Sequence, residues 1–159
     1  MIFVTVGTHY LGFERLIMEM DEIAGKIDEK VIAQIGSTKY KPKNMKYFTF
    51  VEDEKEILEL YQEARVVVSH AGAGTLLTIL NYNKPAVIVP RLHKFNEHID
   101  DHQLELTDVL KDQGKAIGVY DIGDLERSLK KVENLNYNNK KKNEELIIFL
   151  KEYITRMKK

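Results

Sequence analysis

Short apolar segments alternate along this chain with longer segments in which apolar residues recur three and four positions apart. The short segments are rich in β-branched residues and are predicted strands: 2–6, 31–35, 47–51, 66–69, 86–90 and 116–120. The longer segments are predicted amphipathic helices: 13–25, 54–64, 74–83, 100–114 and 122–132. Alternating strands and helices favour a parallel sheet covered on both faces and joined by right-handed crossovers. We therefore expect an α/β fold with a doubly wound, mostly parallel, Rossmann-like sheet of about six strands.

Two segments depart from this alternation. Residues 40–46 stand where a helix is expected between the second and third strands, but they contain Pro42 and several lysines and are predicted to form an exposed loop. The basic, asparagine-rich residues 134–143 are predicted to form a solvated turn before an amphipathic C-terminal helix, about 143–157. Because one core of ordinary size forms near 159 residues, we expect a single domain over 1–159, with its core at about 1–132.

Composition and charge narrow the class of protein. Hydrophobic residues make up 43% of the chain and charged residues 31%, which is typical of a folded soluble domain. The net charge of -1 gives no positive field to attract nucleic acid, so no nucleic-acid partner is expected. The absence of cysteine excludes disulfides and thiolate metal sites and fits a cytoplasmic protein. Neither a signal peptide nor a long apolar span is evident.

The segment VVVSHAGAGTLL, residues 66–77, carries the clearest chemical signal. In an open parallel sheet, ligands bind beyond the carboxyl ends of the strands, where the next helices begin. Gly72 and Gly74 allow positive φ and close approach of a ligand to the backbone, and Ser69 and Thr75 offer hydroxyls. Free amides at the start of the following helix can bind an anion. The segment therefore predicts a phosphate-binding turn, although a tight turn without a ligand remains the alternative.

A second short turn, Gly7 to His9, follows the first strand. If the first and fourth strands are neighbours, both turns face one crevice and a diphosphate can lie between them. The spacing of the glycines matches neither GxGxxG nor GxxxxGK[ST], so a dinucleotide-binding dehydrogenase and a P-loop NTPase are not supported. Ser69 and His70 are adjacent and no GxSxG elbow is present, so a serine hydrolase is not supported either.

The loop after the fifth strand is the third candidate. Its polar residues suit a ligand rich in hydroxyl groups; they are His93, Lys94, Asn96, His98, Asp101, His102 and Gln103. A solvated loop with a helix cap at Asp100 or Asp101 is the alternative. His98 and His102 are four residues apart, but the segment lacks the HExxH glutamate and no third ligand is identified, so no metal site is expected.

Three segments carry a resemblance to a known family: VTVGTHYLGFERLI, VVVSHAGAGTLLTIL and KPAVIVPRLHKFNEHIDDHQLELTDVL. They resemble the C-terminal, donor-binding domain of glycosyltransferase family 28, the C-terminal half of a GT-B enzyme. The resemblance covers nearly all of residues 1–120. Within this family, the closer resemblance is to the small catalytic subunits of split UDP-N-acetylglucosamine transferases of dolichol-linked oligosaccharide synthesis and their bacterial exopolysaccharide counterparts. It implies transfer of a sugar, N-acetylglucosamine, from a UDP-sugar to a polyprenyl-diphosphate-linked acceptor, with no cofactor and no metal.

The resemblance also implies a set of site residues. The glycine loop and the next helix would hold the donor diphosphate, and the DHQ element would contact the sugar. The expected donor-binding residues are Gly7, Thr8, Ser69, His70, Ala71, Gly72, Ala73, Gly74, Thr75, Thr78, His93, His102 and Gln103. As a catalytic residue, His9 can take a proton from the acceptor hydroxyl, because the ordinary pKa of histidine is near 6.5. A base supplied by a partner is the alternative.

One position departs from the family pattern. Family members carry a glutamate that binds the ribose hydroxyls, and the aligned residue here is Thr78. A threonine cannot accept both hydroxyl protons as a carboxylate does. This departure motivates a second hypothesis, a non-catalytic nucleotide-sugar-binding regulatory subunit of a partner transferase.

The resemblance further implies a membrane-anchored partner that binds the lipid-linked acceptor. Single-chain relatives carry an additional N-terminal domain for that purpose, and 159 residues leave no room for one. The chain would then be cytoplasmic and peripheral at the membrane through its partner. The terminal helix can dock to such a partner or close the chain's own core; its apolar residues are Leu146, Ile147, Phe149, Leu150, Tyr153 and Ile154.

Overall fold

A six-stranded sheet forms the centre of the computed structural model, which describes residues 1–135 and 137–158. The strands are β1 (Ile2–Thr5), β2 (Val31–Gln34), β3 (Lys46–Phe48), β4 (Val66–Ser69), β5 (Ala86–Ile88) and β6 (Ile117–Gly118). Their order is β3-β2-β1-β4-β5-β6, and the pairings between them are all parallel. The prediction of a doubly wound, Rossmann-like sheet of about six strands is confirmed.

Helices cover both faces of the sheet. They are α1 (Glu14–Ala24), α2 (Glu54–Glu63), α3 (Ala73–Asn81), α4 (His102–Asp112), α5 (Leu125–Lys131) and α6 (Lys140–Met157). Helices α1 and α5 contribute to the core on one face, and α2, α3, α4 and α6 contribute to the core on the other. Burial on both faces explains why the first three residues of each central strand, β1 and β4, are all apolar, since successive side chains of a strand point to opposite faces.

The register of the two central strands fixes the position of the candidate site. Ile2 of β1 pairs with Val66 of β4, and Thr5 pairs with Ser69. The turns that follow these two strands therefore emerge side by side at the carboxyl edge of the sheet, at the point where the strand order reverses. The expectation that the first and fourth strands are neighbours is confirmed.

The loop between β2 and β3 contains no helix, as predicted for residues 40–46, although Lys46 already belongs to β3. The buried carboxylate of Asp21 organises this loop by accepting hydrogen bonds from the Tyr40 hydroxyl at 2.6 Å and from the backbone amides of Lys43 and Asn44 at 3.0 and 2.7 Å. Burial alone would raise the pKa of Asp21, but these hydrogen bonds hold the pKa below its ordinary value.

The C-terminal segment differs from the prediction of a solvated turn over 134–143. Helix α6 already begins at Lys140, because the side chain of Asn139 accepts a hydrogen bond from the Lys142 amide and caps the helix. Asn136 lies outside the described residues. Leu146 and Leu150 are buried in the same core as α3, so this side of α6 closes the chain's own core. Across the residues that the structure describes, we find no helix that is both long enough and apolar enough to cross a bilayer.

Candidate functional site

A cleft of about 490 Å³ opens at the carboxyl edge of the sheet, beside the turns after β1 and β4. Its lining comes from both turns, from α2 and α3, and from the segment that leads into α4. The lining residues are Thr5, Gly7, Thr8, His9, Gln34, Glu54, Ile57, Leu58, Tyr61, His70, Gly72, Gly74, Thr75, Thr78, His98, His102 and Gln103. Much of the predicted set is therefore brought together, while Ser69, Ala71, Ala73 and His93 do not line the cleft with the others.

The start of α3 supplies hydrogen-bond donors to this cleft. Gly72 is the N-cap residue, and α3 begins at Ala73. The backbone amides from Gly72 to Thr75 have no acceptor among the described residues, as expected for the first turn of a helix. The Ala71 amide, in contrast, donates to Oε1 of Gln103 at 3.1 Å. The set of available amides is therefore narrower than the sequence indicates and starts at Gly72.

Neither Gly72 nor Gly74 uses the positive φ that glycine allows. Gly72 has a φ of -74°, Gly74 lies within α3, and Gly7 is the glycine of the cleft with positive φ, at 72°. A Cβ on Gly7 would lie 2.6 Å from Cε1 of His70, and one on Gly72 would lie 2.3 Å from Nε2 of the same ring. Gly7 and Gly72 are therefore needed to accommodate the imidazole of His70. A Cβ on Gly74 would meet no atom within 4 Å, so Gly74 keeps the cleft open.

His70 is enclosed beneath the two turns. Its backbone amide donates to the carbonyl of Thr5 at 3.3 Å and ties the turn after β4 to β1. Burial, together with the positive charge of Arg91, lowers the pKa of His70 to about 3. The ring therefore stays neutral at physiological pH.

Polar residues at the ends of β1 and β2 form the floor of the cleft and were missed by sequence reasoning. The hydroxyl of Thr5 donates to Oε1 of Gln34 at 2.7 Å and accepts the amide of Gly7 at 3.2 Å. This pair holds the first turn in its positive-φ conformation. Thr5 and Gln34 could have been found from the sequence, because each is a polar residue near the carboxyl end of an otherwise apolar strand.

Helix α2 forms one wall of the cleft, and the sequence analysis did not predict this. Glu54, Ile57, Leu58 and Tyr61 line the cleft, and burial raises the pKa of Tyr61 well above its usual range. The apolar residues of α2 follow the pattern of any helix packed on a sheet, so the sequence alone gives no sign that some of them face a ligand.

Three imidazoles stand in a row at one side of the cleft. The ring centroids of His9 and His98 are 4.7 Å apart, and those of His98 and His102 are 4.6 Å apart. Nδ1 of His9 accepts the Leu11 amide at 3.1 Å, so the proton of the neutral ring is on Nε2. A general base needs an unprotonated nitrogen, and this tautomer therefore counts against His9 as the catalytic base.

Asp100 connects the last two histidines of the row. Its Oδ1 accepts the backbone amide of His102 at 3.1 Å, contacts Nδ1 of the same ring, and lies 3.3 Å from Nδ1 of His98. Asp101 is turned elsewhere, since its carboxylate accepts the amide of His93 at 2.8 Å. Asp100 is therefore the residue that orients the start of α4 toward the cleft. His93 is exposed and does not line the cleft.

Gln103 and Thr78 both line the cleft but also have structural roles. Oε1 of Gln103 accepts the amides of Ala71 and Arg91, at 3.1 and 3.0 Å, and so joins the turn after β4 to the loop after β5. The hydroxyl of Thr78 donates to the carbonyl of Gly74 at 3.1 Å within α3. Ser69, which does not line the cleft, is buried, and its hydroxyl donates to the carbonyl of His70 at 2.7 Å.

Arg91 holds the cleft together from behind. Its side chain is fully buried over the ring of Phe13, with the guanidinium carbon 5.0 Å from the ring centroid. The guanidinium donates to the backbone carbonyls of Val6, Leu11, Gly12 and Glu97, at 2.7, 3.0, 3.1 and 2.9 Å. These carbonyls belong to the two segments that carry His9 and His98, so the side chain of Arg91 holds both segments in place. Burial lowers the pKa of Arg91 to about 10, and the group remains charged.

Comparisons with known proteins agree with this architecture. The human UDP-N-acetylglucosamine transferase subunit ALG13 is 35% identical over 124 residues, which are 71% of this chain and 10% of that protein. The UDP-N-acetylglucosamine--N-acetylmuramyl-(pentapeptide) pyrophosphoryl-undecaprenol N-acetylglucosamine transferase of Prochlorococcus marinus (strain MIT 9312) is 26% identical over 100 residues, 61% of this chain and 28% of that protein. The chain thus spans a minor part of either relative.

A solved structure shows the same fold. The crystal structure of Acinetobacter baumannii MurG superposes with a TM-score of 0.60 at 20% identity, covering 94% of this chain and 49% of that one. The family model of the glycosyltransferase family 28 C-terminal domain matches residues 1–157. The chain therefore belongs to the glycosyltransferase family 28 C-terminal domain family.

Proposed function

We propose that this chain is the donor-binding catalytic subunit of a glycosyltransferase that moves N-acetylglucosamine from a UDP-sugar to a polyprenyl-diphosphate-linked acceptor. The observation that carries the proposal is the run of unpaired amides from Gly72 to Thr75, which faces a cleft at the reversal point of the sheet. The names of the relatives support the donor, since the human protein is a UDP-N-acetylglucosamine transferase subunit. The bacterial relative supports the acceptor class, because its name includes pyrophosphoryl-undecaprenol.

The chemistry of the transfer explains why amides suit this site. The acceptor oxygen attacks the anomeric carbon, the bond from that carbon to the diphosphate oxygen breaks, and its electron pair stays on the departing UDP. Preorganised amides and the positive end of the α3 dipole stabilise this developing charge. We propose that they do so without a metal or another cofactor. The acceptor proton passes to a base that we assign to the partner, because Nδ1 of His9 is already engaged.

The proposal includes a membrane-anchored partner that supplies the acceptor site and holds this chain at the cytoplasmic face of a membrane. The name of the human relative, a transferase subunit, supports the need for a partner. The second candidate function is a regulatory subunit that binds the nucleotide sugar without catalysis. The specific observation in its favour is Thr78, whose hydroxyl is bonded within its own helix and which replaces the family carboxylate.

A reconstitution experiment separates the two functions. The chain is co-expressed with the candidate membrane-anchored partner, and transfer from radiolabelled UDP-N-acetylglucosamine to a polyprenyl-diphosphate-linked sugar is measured for each protein alone and for the complex. We expect transfer by the complex, undiminished by EDTA, and none by either protein alone. A complex that binds UDP-N-acetylglucosamine through this chain but transfers no sugar would establish the regulatory function instead.

Thr78→Glu tests where the ribose lies. A carboxylate at this position can accept hydrogen bonds from both ribose hydroxyls, and each bond to a charged acceptor contributes about 1.5–3 kcal/mol. We expect the ratio of Kd for 2′-deoxy-UDP to Kd for UDP to rise about tenfold, which is the effect of roughly 1.4 kcal/mol. The ratio cancels any general repulsion between the new charge and the diphosphate. Calorimetric titration gives both constants, and Thr78→Gln, which lacks the charge, is the matched control.

A further inference from the structure

The cleft lacks a permanent positive charge. Its lining residues include one carboxylate, Glu54, and four histidines, but no lysine or arginine. Arg91 lies behind the cleft and directs its guanidinium to backbone carbonyls. A helix N-terminus contributes the equivalent of about half an elementary charge, whereas the diphosphate of a nucleotide sugar carries about two negative charges because each of its phosphates is ionised. Histidine is the side chain that can supply the remaining positive charge near neutral pH.

The hydrogen bonds of the histidines show which ring can take up a proton. His70 is enclosed and stays neutral. Protonation of His9 on Nδ1 would break the hydrogen bond from the Leu11 amide. Nδ1 of His98 likewise accepts a backbone amide, that of Asp100, at 3.4 Å. His102 differs from these three rings, because its Nδ1 contacts the carboxylate of Asp100 and its Nε2 has no partner among the described residues. A proton on Nε2 would therefore create an imidazolium that is already paired with a carboxylate.

We propose that His102, paired with Asp100, takes up a proton from solvent when the donor diphosphate enters the cleft and supplies the positive charge that this diphosphate meets. The inference rests on the proposed function and deepens it, since it assigns a charge-supplying residue to the donor site. In the step, neutral His102 gains one proton on Nε2 and becomes a cation, with no other bond made or broken. Donor binding is then linked to proton uptake and is tighter at lower pH.

The groups around His102 fit this assignment. His98 and Asp100 contact it from its own loop, and Tyr153 of α6 lies beside it with a centroid distance of 6.3 Å. His9 stacks on the far side of His98, Glu54 lines the same cleft, and Arg91 lies behind the cleft with its guanidinium on the carbonyl of Glu97, next to His98. Burial lowers the pKa of His98, and the positive charge of Arg91 lowers it as well. An anion placed among these rings reverses the balance and favours their charged forms.

Calorimetry counts the protons directly. Binding of UDP-N-acetylglucosamine to the full chain is measured with EDTA at pH 7.5 in buffers of different ionisation enthalpy. The slope of the observed binding enthalpy against the ionisation enthalpy of the buffer gives the number of protons taken up per ligand. The nucleotide sugar is used instead of UDP because a terminal phosphate itself titrates near pH 6. We expect an uptake of about 0.5–1 proton per ligand, and a Kd that weakens by up to tenfold per pH unit between pH 6 and 8.5, since one bound proton gives a slope of at most one.

Two variants and one ligand control identify the group. Asp100→Asn keeps an acceptor for the His102 amide but removes the charge, and we expect proton uptake at pH 7.5 to fall by at least half. Asp101→Asn, the same change one residue away on a carboxylate that faces His93, leaves the uptake unchanged. His102→Gln abolishes the uptake, and uridine, which lacks the diphosphate, binds without it. Binding of the nucleotide sugar with no proton uptake and a constant Kd would overturn this inference alone, whereas the absence of any binding would overturn the proposed function.

Discussion

Gly74→Val is expected to weaken UDP-sugar binding by at least 100-fold while the chain remains folded. A Cβ at this position meets no atom within 4 Å, and the residue is exposed in the first turn of α3, so the fold tolerates a side chain there. The same side chain would project into the space through which a phosphate approaches the amides of Gly72 to Thr75. Gly74→Ala is expected to cost about tenfold in affinity and to raise stability by up to about 1 kcal/mol, because alanine is the better helix former. Isothermal calorimetry with UDP-N-acetylglucosamine and thermal melting measure the two effects separately.

Two matched variants show that the effect belongs to the site. Asn81→Val places the same side chain at the exposed C-terminal end of α3 and should leave the Kd unchanged. Gly72→Ala should instead destabilise the fold, because its Cβ would lie 2.3 Å from Nε2 of His70. If the Gly74→Val variant binds the nucleotide sugar as tightly as the unaltered chain, the diphosphate does not lie at the start of α3.

Arg91→Met is expected to destabilise the fold by about 3–5 kcal/mol, since it leaves buried carbonyl groups without their donor. At about 2–4 °C per kcal/mol for a domain of this size, the melting temperature should fall by roughly 10–15 °C. Arg91→Lys should recover only part of the loss, because an ammonium cannot reach several carbonyls with the planar fork of a guanidinium. Chemical denaturation gives the free energy of unfolding for each variant.

An exposed arginine provides the control for this prediction. Arg127 pairs with Asp124 at 2.7 Å, its side chain is 65% exposed, and Arg127→Met should change stability by less than about 1 kcal/mol. A second readout distinguishes loss of charge from loss of packing: without the Arg91 cation, the pKa values of His9 and His98 should rise, and NMR titration of the folded variant would show it. An Arg91→Met variant as stable as the unaltered chain would show that the four carbonyls find other donors.

Most of the fold was predictable from the sequence because its cause is local. Strands β1 and β4 are buried on both faces and therefore consist of apolar residues up to their last position, while the helices keep the spacing of one buried side. The start of α6 at Lys140 was not predicted. Its first turn is basic and exposed, and its boundary depends on the side chain of Asn139 rather than on any apolar pattern.

The candidate site was predictable only in part. The glycine loop, the turn at Gly7 and the segment at His102 were found because glycines and clustered polar residues at strand ends mark the ligand edge. The structural role of each of these residues was not predictable. Gly7 and Gly72 leave room for the ring of His70, and Gln103 joins two loops. Most of these contacts join residues that are far apart in the sequence.

The pairing of residue 2 with residue 66 also bears on how this chain acquires its ligand site during folding. Parallel neighbours so distant along the chain come together late, because a long loop must close before their contacts form. Until β1 and β4 are side by side, the amides at α3 have no opposing turn. A nucleotide should therefore bind only molecules that have completed this step, and added UDP-sugar should slow unfolding without accelerating the early phases of refolding.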